Sequence, residues 1–101
     1  MSTALAAAAP AVSGPHLAFV SRSAHFEIIA NVDPHISLRI LNYFAQRDLV
    51  PSMFRSRRIR EKLEMRVVVP GLTEHDAAVI AEKMRGQFAV AAVTLEMVVG
   101  G

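Results

Sequence analysis

The order of patterns along this chain predicts an α+β sandwich, a four-stranded antiparallel sheet with two helices on one face. Three observations carry that expectation. Ala24–Asp33 and Leu63–Val69 alternate apolar and polar residues with the period of a half-buried strand. Pro34–Arg47 and the stretch after Thr73 space their apolar residues as a helix with one buried stripe does. Asp33-Pro34, Pro70-Gly71 and Gly86 punctuate these segments as turns or stops. From Ala24 to Val98 the order is strand, helix, strand, strand, helix, strand, which is the ferredoxin-like βαββαβ layout. That layout hosts catalytic, metal-carrying, RNA-binding and regulatory modules, so function has to be read from side chains.

The first strand, AHFEIIANVD (Ala24–Asp33), places Ala24, Phe26, Ile28, Ala30 and Val32 on one face. His25, Glu27, Ile29, Asn31 and Asp33 occupy the other. Pro34 then pre-sets the backbone for a helix start. Over Pro34–Arg47, Ile36, Ile40, Leu41 and Phe44 make a single apolar stripe. Asp48 follows, where a left-handed residue often ends a helix; Asp tolerates that state better than most non-glycines. Leu49–Ile59 predicts a second strand, with Pro51, which has no amide donor, marking an edge or a bulge. Arg60, Glu61 and Lys62 form the turn into a third strand, with Leu63, Met65, Val67 and Val69 facing inward. Thr73 is the expected N-cap of the second helix, with Asp76 as a weak capping-box partner. Ala77, Ile80, Ala81 and Met84 form its buried stripe and Gly86 its C-terminal cap. Phe88–Val98 is the expected last strand. The first and third strands should be central, and Ile29 and Val68 leave the open sheet face partly apolar, a surface that invites a partner.

A chain of 101 residues makes one small domain, and a domain this size buries only about 60% of its unfolded surface, so oligomerisation is expected. Residues 1–23 differ from the rest. They are rich in Ala, Ser, Pro and Gly, with Arg22 as their only charged side chain. They lack the basic start and strong apolar core of a secretory signal, and the arginines of a transit peptide. A flexible extension over 1–23 is expected, ahead of a domain over 24–98 and a tail over 99–101. Leu17, Phe19 and Val20 could add a short strand or dock on a neighbour. No apolar run reaches the length of a membrane span. Cysteine is absent, which removes disulfides and thiolate metal sites and fits a reducing, cytoplasmic compartment.

The remaining chemistry is sparse. His16, His25, His35 and His75 are scattered and lack metal-ligand spacing, so no metal site is expected. No phosphate-cradling loop or nucleophile motif appears, and Glu27, Asp33 and His35 suit solvated positions better than an acid–base cluster. No catalytic residue and no cofactor is expected. Formal net charge is only +2, although Arg55, Arg57, Arg58 and Arg60 concentrate in one strand and turn. RNA-binding modules of this layout stack bases on aromatics of the central strands. Here the third strand has none and Phe26 points inward, so nucleic acid is an alternative carried by the four arginines alone. Charged edge strands also arise simply to block edge-to-edge aggregation.

VDPHISLRILNYFAQRDLVP (Val32–Pro51) resembles the first helix of the ACT domain family, small amino-acid-sensing regulatory modules. Asp33, Pro34, Arg39, Ile40, Leu41, Phe44, Arg47 and Leu49 carry the resemblance, with Asp48 where the family usually has Gly. VVVPGLTEHDAAVIAEKMRGQFAVAAVTL (Val67–Leu95) is similar to the family's third strand, second helix and last strand. The Asp33-Pro34-His35 loop most resembles the single-ACT small regulatory subunits of acetohydroxyacid synthase. The resemblance implies a non-catalytic homodimer that binds and activates a catalytic subunit. It also implies an effector site for a branched-chain amino acid around Asn31, Asp33, Pro34, His35 and Ile36. His35 stands at or beside the family's glycine, so its imidazole is expected to occupy space that glycine leaves open. Arg55, Arg57 and Arg58 are the expected partner-binding residues. A stand-alone amino-acid sensor with another target is the alternative within the family.

Overall fold

A computed structural model describes residues 22–99 of the chain. The elements are β1 (Arg22–Asn31), α1 (Ile36–Ala45), β2 (Met53–Ile59), β3 (Lys62–Pro70), α2 (Glu74–Arg85) and β4 (Val90–Val99). The strands form one antiparallel sheet in the order β2-β3-β1-β4, which makes the first and third strands central as expected. The ferredoxin-like fold read from the pattern is the fold observed. The extension expected over 1–23 lies outside the described residues except for Arg22 and Ser23, which open β1.

Alternation in the two central strands builds the core. Ala24, Phe26, Ile28 and Ala30 of β1 and Met65, Val67 and Val69 of β3 are buried beneath the helices. From α1 they meet Ile36, Ile40 and Phe44, and from α2 Ala77, Ile80, Ala81 and Met84. The rings of Phe26 and Phe44 pack edge to face at 5.3 Å between centroids, a geometry that adds about 0.5–1.5 kcal/mol to their area burial. Polar contacts fix one helix against the other. The Tyr43 hydroxyl donates to the Lys83 carbonyl at 3.3 Å and accepts from Gln87, while Arg47 sits 3.6 Å from Asp76. Arg85 ties α2 to β4 by donating to the Val93 carbonyl at 2.9 Å.

Local chemistry sets the ends. Thr73 Oγ1 caps α2 by accepting from the Asp76 amide at 3.1 Å; the Asp76 carboxylate faces Arg47 instead of completing a capping box. Asp48 adopts the left-handed conformation (φ 57°), and the Leu49 amide returns to the Phe44 carbonyl at 2.9 Å. That closure stops α1 at Ala45, two residues short of the expected Arg47. At the other end α1 begins at Ile36, because the Asp33 carbonyl accepts the Ile36 amide at 3.2 Å and turns the chain there. Gly86 ends α2 with its amide 3.2 Å from the carbonyls of both Glu82 and Lys83, while keeping right-handed backbone.

Three expected boundaries are corrected. β1 ends at Asn31, whose amide donates to Ala89 at 2.7 Å, so Val32 falls in a loop and is 40% exposed. Leu49–Ser52 is a loop, because pairing of β2 begins only where the Ser52 amide reaches the Val68 carbonyl at 2.8 Å, just past the donorless Pro51. β4 starts at Val90, whose amide turns back to the Gln87 carbonyl at 3.0 Å; Phe88 is left in the connection, 99% exposed.

Candidate functional site

One end of the sheet gathers the loop between β1 and α1, the turn between β2 and β3, and the connection from α2 to β4. Asn31 brings them together. Its backbone pairs with Lys62 in register and with Ala89, and its side-chain oxygen accepts from Lys62 Nζ at 2.7 Å. Asp33 organises the loop: Oδ1 accepts the His35 amide at 2.8 Å and lies 3.6 Å from His35 Nδ1. Asp at this position folds the chain locally because its short carboxylate reaches the amide two residues on.

The five residues expected to hold an effector are therefore neighbours that do not share one surface. Ile36 is buried in the core, and Asn31 already carries Lys62. Asp33, Pro34 and His35 remain at the surface, with the His35 side chain 72% exposed and making no capping hydrogen bond. The imidazole stands at one end of a shallow hollow of about 540 Å³ along the outer side of α1, floored by Leu38, Leu41 and Ala45. The same end of the molecule exposes Val32, Ile59 and Phe88. Phe88 was hidden from sequence reasoning because it continues the apolar run of the last strand. The adjacent Gly86-Gln87 was the available sign that pairing starts later.

The arginines of β2 separate. Arg55 lies opposite Arg66 and Arg57 opposite Glu64, on the sheet face away from the helices; Arg58 lies opposite Leu63, on the helix side. Arg57 Nη2 is 3.2 Å from Glu64 Oε1, and Arg66 pairs with Glu27 across the two central strands. Arg58 Nε instead donates to the carbonyl of Arg60 at 3.0 Å, and Arg60 occupies the left-handed position of the turn. Arg55, Arg57 and Arg66 share a hollow of about 360 Å³ with Glu27, Glu64 and Ile29. Arg55 makes no ion pair among the described residues. The expected trio of partner-binding arginines is thus two residues on one face and one on the other. Arg66 and Glu27, which complete the lattice, were missed because only the strand register reveals them.

This split also bears on nucleic acid. Four arginines spread over two faces and a turn do not form one phosphate-tracking groove, and Phe26 is buried, leaving β1 no Phe, Tyr or Trp on the open face. Among the described residues no three His, Cys, Asp or Glu side chains converge as metal ligands. No helix among them is long and apolar enough to cross a membrane.

A family model described as an ACT-like domain matches residues 20–100 of the chain. No curated protein matches it. Among solved structures, the ACT domain from GTP pyrophosphokinase of Chlorobium tepidum is 11% identical, with a TM-score of 0.64 over 73% of this chain and 96% of that one. The regulatory subunit of aspartate kinase from Thermus thermophilus is 15% identical, with a TM-score of 0.60 over 78% of this chain and 56% of that one. The C-terminal domain of the MgtC protein from Mycobacterium tuberculosis is 14% identical, with a TM-score of 0.58 over 88% of this chain and 94% of that one. Identities this low establish a shared fold.

Proposed function

The chain belongs to the ACT-like domain family, and from that premise we propose that it is a non-catalytic regulatory protein that binds a biosynthetic enzyme. The observation carrying this reading is the extent of the family match, which takes in every described strand and helix. The named role of one neighbour, a regulatory subunit of aspartate kinase, supports the class of function. The enzyme proposed is acetohydroxyacid synthase, on the likeness of the Asp33-Pro34-His35 loop to its small subunits. In this reading residues 24–98 act in the cytoplasm as a homodimer without a cofactor, and residues 1–23 are an extension to them. The edge of β2 and the neighbouring Leu38, Leu41 and Ala45 of α1 offer the surface for pairing two sheets edge to edge. Asn31, Asp33, Pro34, His35 and Ile36 form the effector loop, with Asp33 shaping its backbone and His35 at its mouth. Arg55 and Arg57 on the open face, and Arg58 on the helix side, are the partner-facing cations.

The test is reconstitution. The full chain is co-expressed with the large thiamine-dependent synthase of the same genome, purified by a tag on either protein, and assayed. The expected result is a stable complex with a turnover several-fold above that of the synthase alone. Absence of both complex and activation moves the reading to an amino-acid sensor with another target.

A further inference from the structure

The open sheet face carries its charges in an arrangement that is complementary to itself. Strand register sets side chains in rows across the four strands. One row reads Arg55, Arg66, Glu27, Thr94 from β2 to β4; the next reads Met53, Val68, His25, Glu96. Within the molecule Arg66 takes Glu27 and Arg57 takes Glu64. Three charges on this face are left without an ion pair among the described residues: Lys62, whose ammonium donates to Asn31 Oδ1, and the oppositely charged Arg55 and Glu96. Arg55 lies on one edge strand and Glu96 on the other, one row apart, and both are exposed. Arg55 also faces the like charge of Arg66 directly across the strand pair, an arrangement that is unfavourable until an acid joins it.

We propose that a second copy of this chain packs on the open face, related by a two-fold axis parallel to the strands, with Arg55 of each copy meeting Glu96 of the other. Such an axis reverses the order of strands and keeps height along them, so an isologous contact follows. It lays Arg66 of one copy over Glu27 of the other and brings the β2 edge over the β4 edge. Stacked sheets stand about 10 Å apart, a gap that extended Arg and Glu side chains span together. Arg55 and Glu96, the two edge-strand charges without an ion pair, then find partners, twice per complex.

The area sets the strength. Four strands spaced at about 4.8 Å, each contributing about eight residues at about 3.3 Å, present about 500 Å² per copy. The total of about 1,000 Å² is at the lower limit of specific interfaces, and charges buried in it must shed water. The association is therefore weak and concentration-dependent. The complementarity lies in this chain alone and does not need the regulatory reading, but it uses the same Arg55, so a second copy and a catalytic subunit would compete for the open face.

Sedimentation velocity of the full chain, from about 5 to 500 µM in low and high salt, tests the inference. The expected result is a reversible doubling of mass with concentration, suppressed by salt. Arg55→Glu and Glu96→Arg should each weaken it about tenfold or more, because the two-fold repeats each repulsion. The protein carrying both substitutions should associate within about threefold of the original, since the reversed pair is restored. Arg58→Glu, on the same strand but the other face, should leave association unchanged. Arg55→Gln and Glu96→Gln, with native circular dichroism, give milder losses of the same sign and guard against misfolding of the reversals. Constant mass over the whole range, single reversals without effect, or a double reversal that fails to recover each overturn the proposal. Failure here leaves activation of a catalytic subunit untouched, and an edge-paired dimer would show as a starting mass that none of these variants changes.

Discussion

The two faces of the sheet are built on different physics. Toward the helices, Ala24, Phe26, Ile28 and Ala30 of β1 and Met65, Val67 and Val69 of β3 are apolar and buried, and Phe26 meets Phe44 ring to ring. Away from them the same strands carry Glu27, Arg66 and Glu64 in ion pairs open to solvent. Burial of apolar area stabilises by about 25 cal/mol per Å², while exposed ion pairs contribute at most about 1 kcal/mol each. The helix face thus holds the domain together. The open face contributes little to folding and is free to carry information for a partner. The contrast teaches that an alternating strand in a small domain is two messages written at once.

The largest effect that would break this contrast is on the helix face. Phe26→Ala should cost about 3–5 kcal/mol, since it empties the centre of the core and orphans Phe44. Urea unfolding is the measurement, and a loss under about 1 kcal/mol would mean that the two faces share the load. Next in size is the rim between the faces, where His35 stands. Calorimetry with valine, leucine and isoleucine should give dissociation constants of about a millimolar or weaker. His35→Gly should tighten the best of them about tenfold, because a glycine lets the ligand approach the backbone. Micromolar binding to the unmodified chain would mean that the imidazole is a contact. The smallest effect belongs to the open face. Arg66→Ala should change stability by less than about 1 kcal/mol and by still less in high salt. A loss comparable to that of Phe26→Ala would mean that the open face also holds the domain together.

The helix face was legible in the sequence almost residue by residue, because alternation and the helical stripe each encode burial directly. Ala77, Ile80, Ala81 and Met84 are buried as the spacing required, and Thr73 caps α2 as its position implied. Asp48 takes the left-handed state expected of it. Ends were less legible. Val32 and Phe88 extend apolar patterns past the point where backbone pairing stops, and pairing depends on strands far away in the chain. The site was legible as a set of residue names and not as a surface. Arg58 parts from Arg55 and Arg57 because side chains alternate in a strand, a separation already implicit in the assignment of β2. The pairing of Arg66 with Glu27, in contrast, joins residues from different strands, and no local pattern announces it.

The strand order β2-β3-β1-β4 also governs when the domain can form. Among the described strands β1 leaves the ribosome first, yet it occupies an interior place with a neighbour on each side. Its pairing with β3 joins Asn31 to Lys62 and Ser23 to Pro70, partners 31 and 47 residues apart. The hairpin of β2 and β3 needs only the short turn at Arg60 and can close early, on the microsecond scale of hairpins. β1 gains its β3 neighbour only once that later strand has been made, and until then Phe26 and Ile28 are unsheltered. The interior strand β1 is thus the one whose pairings span the most chain, the kind of contact that forms slowly.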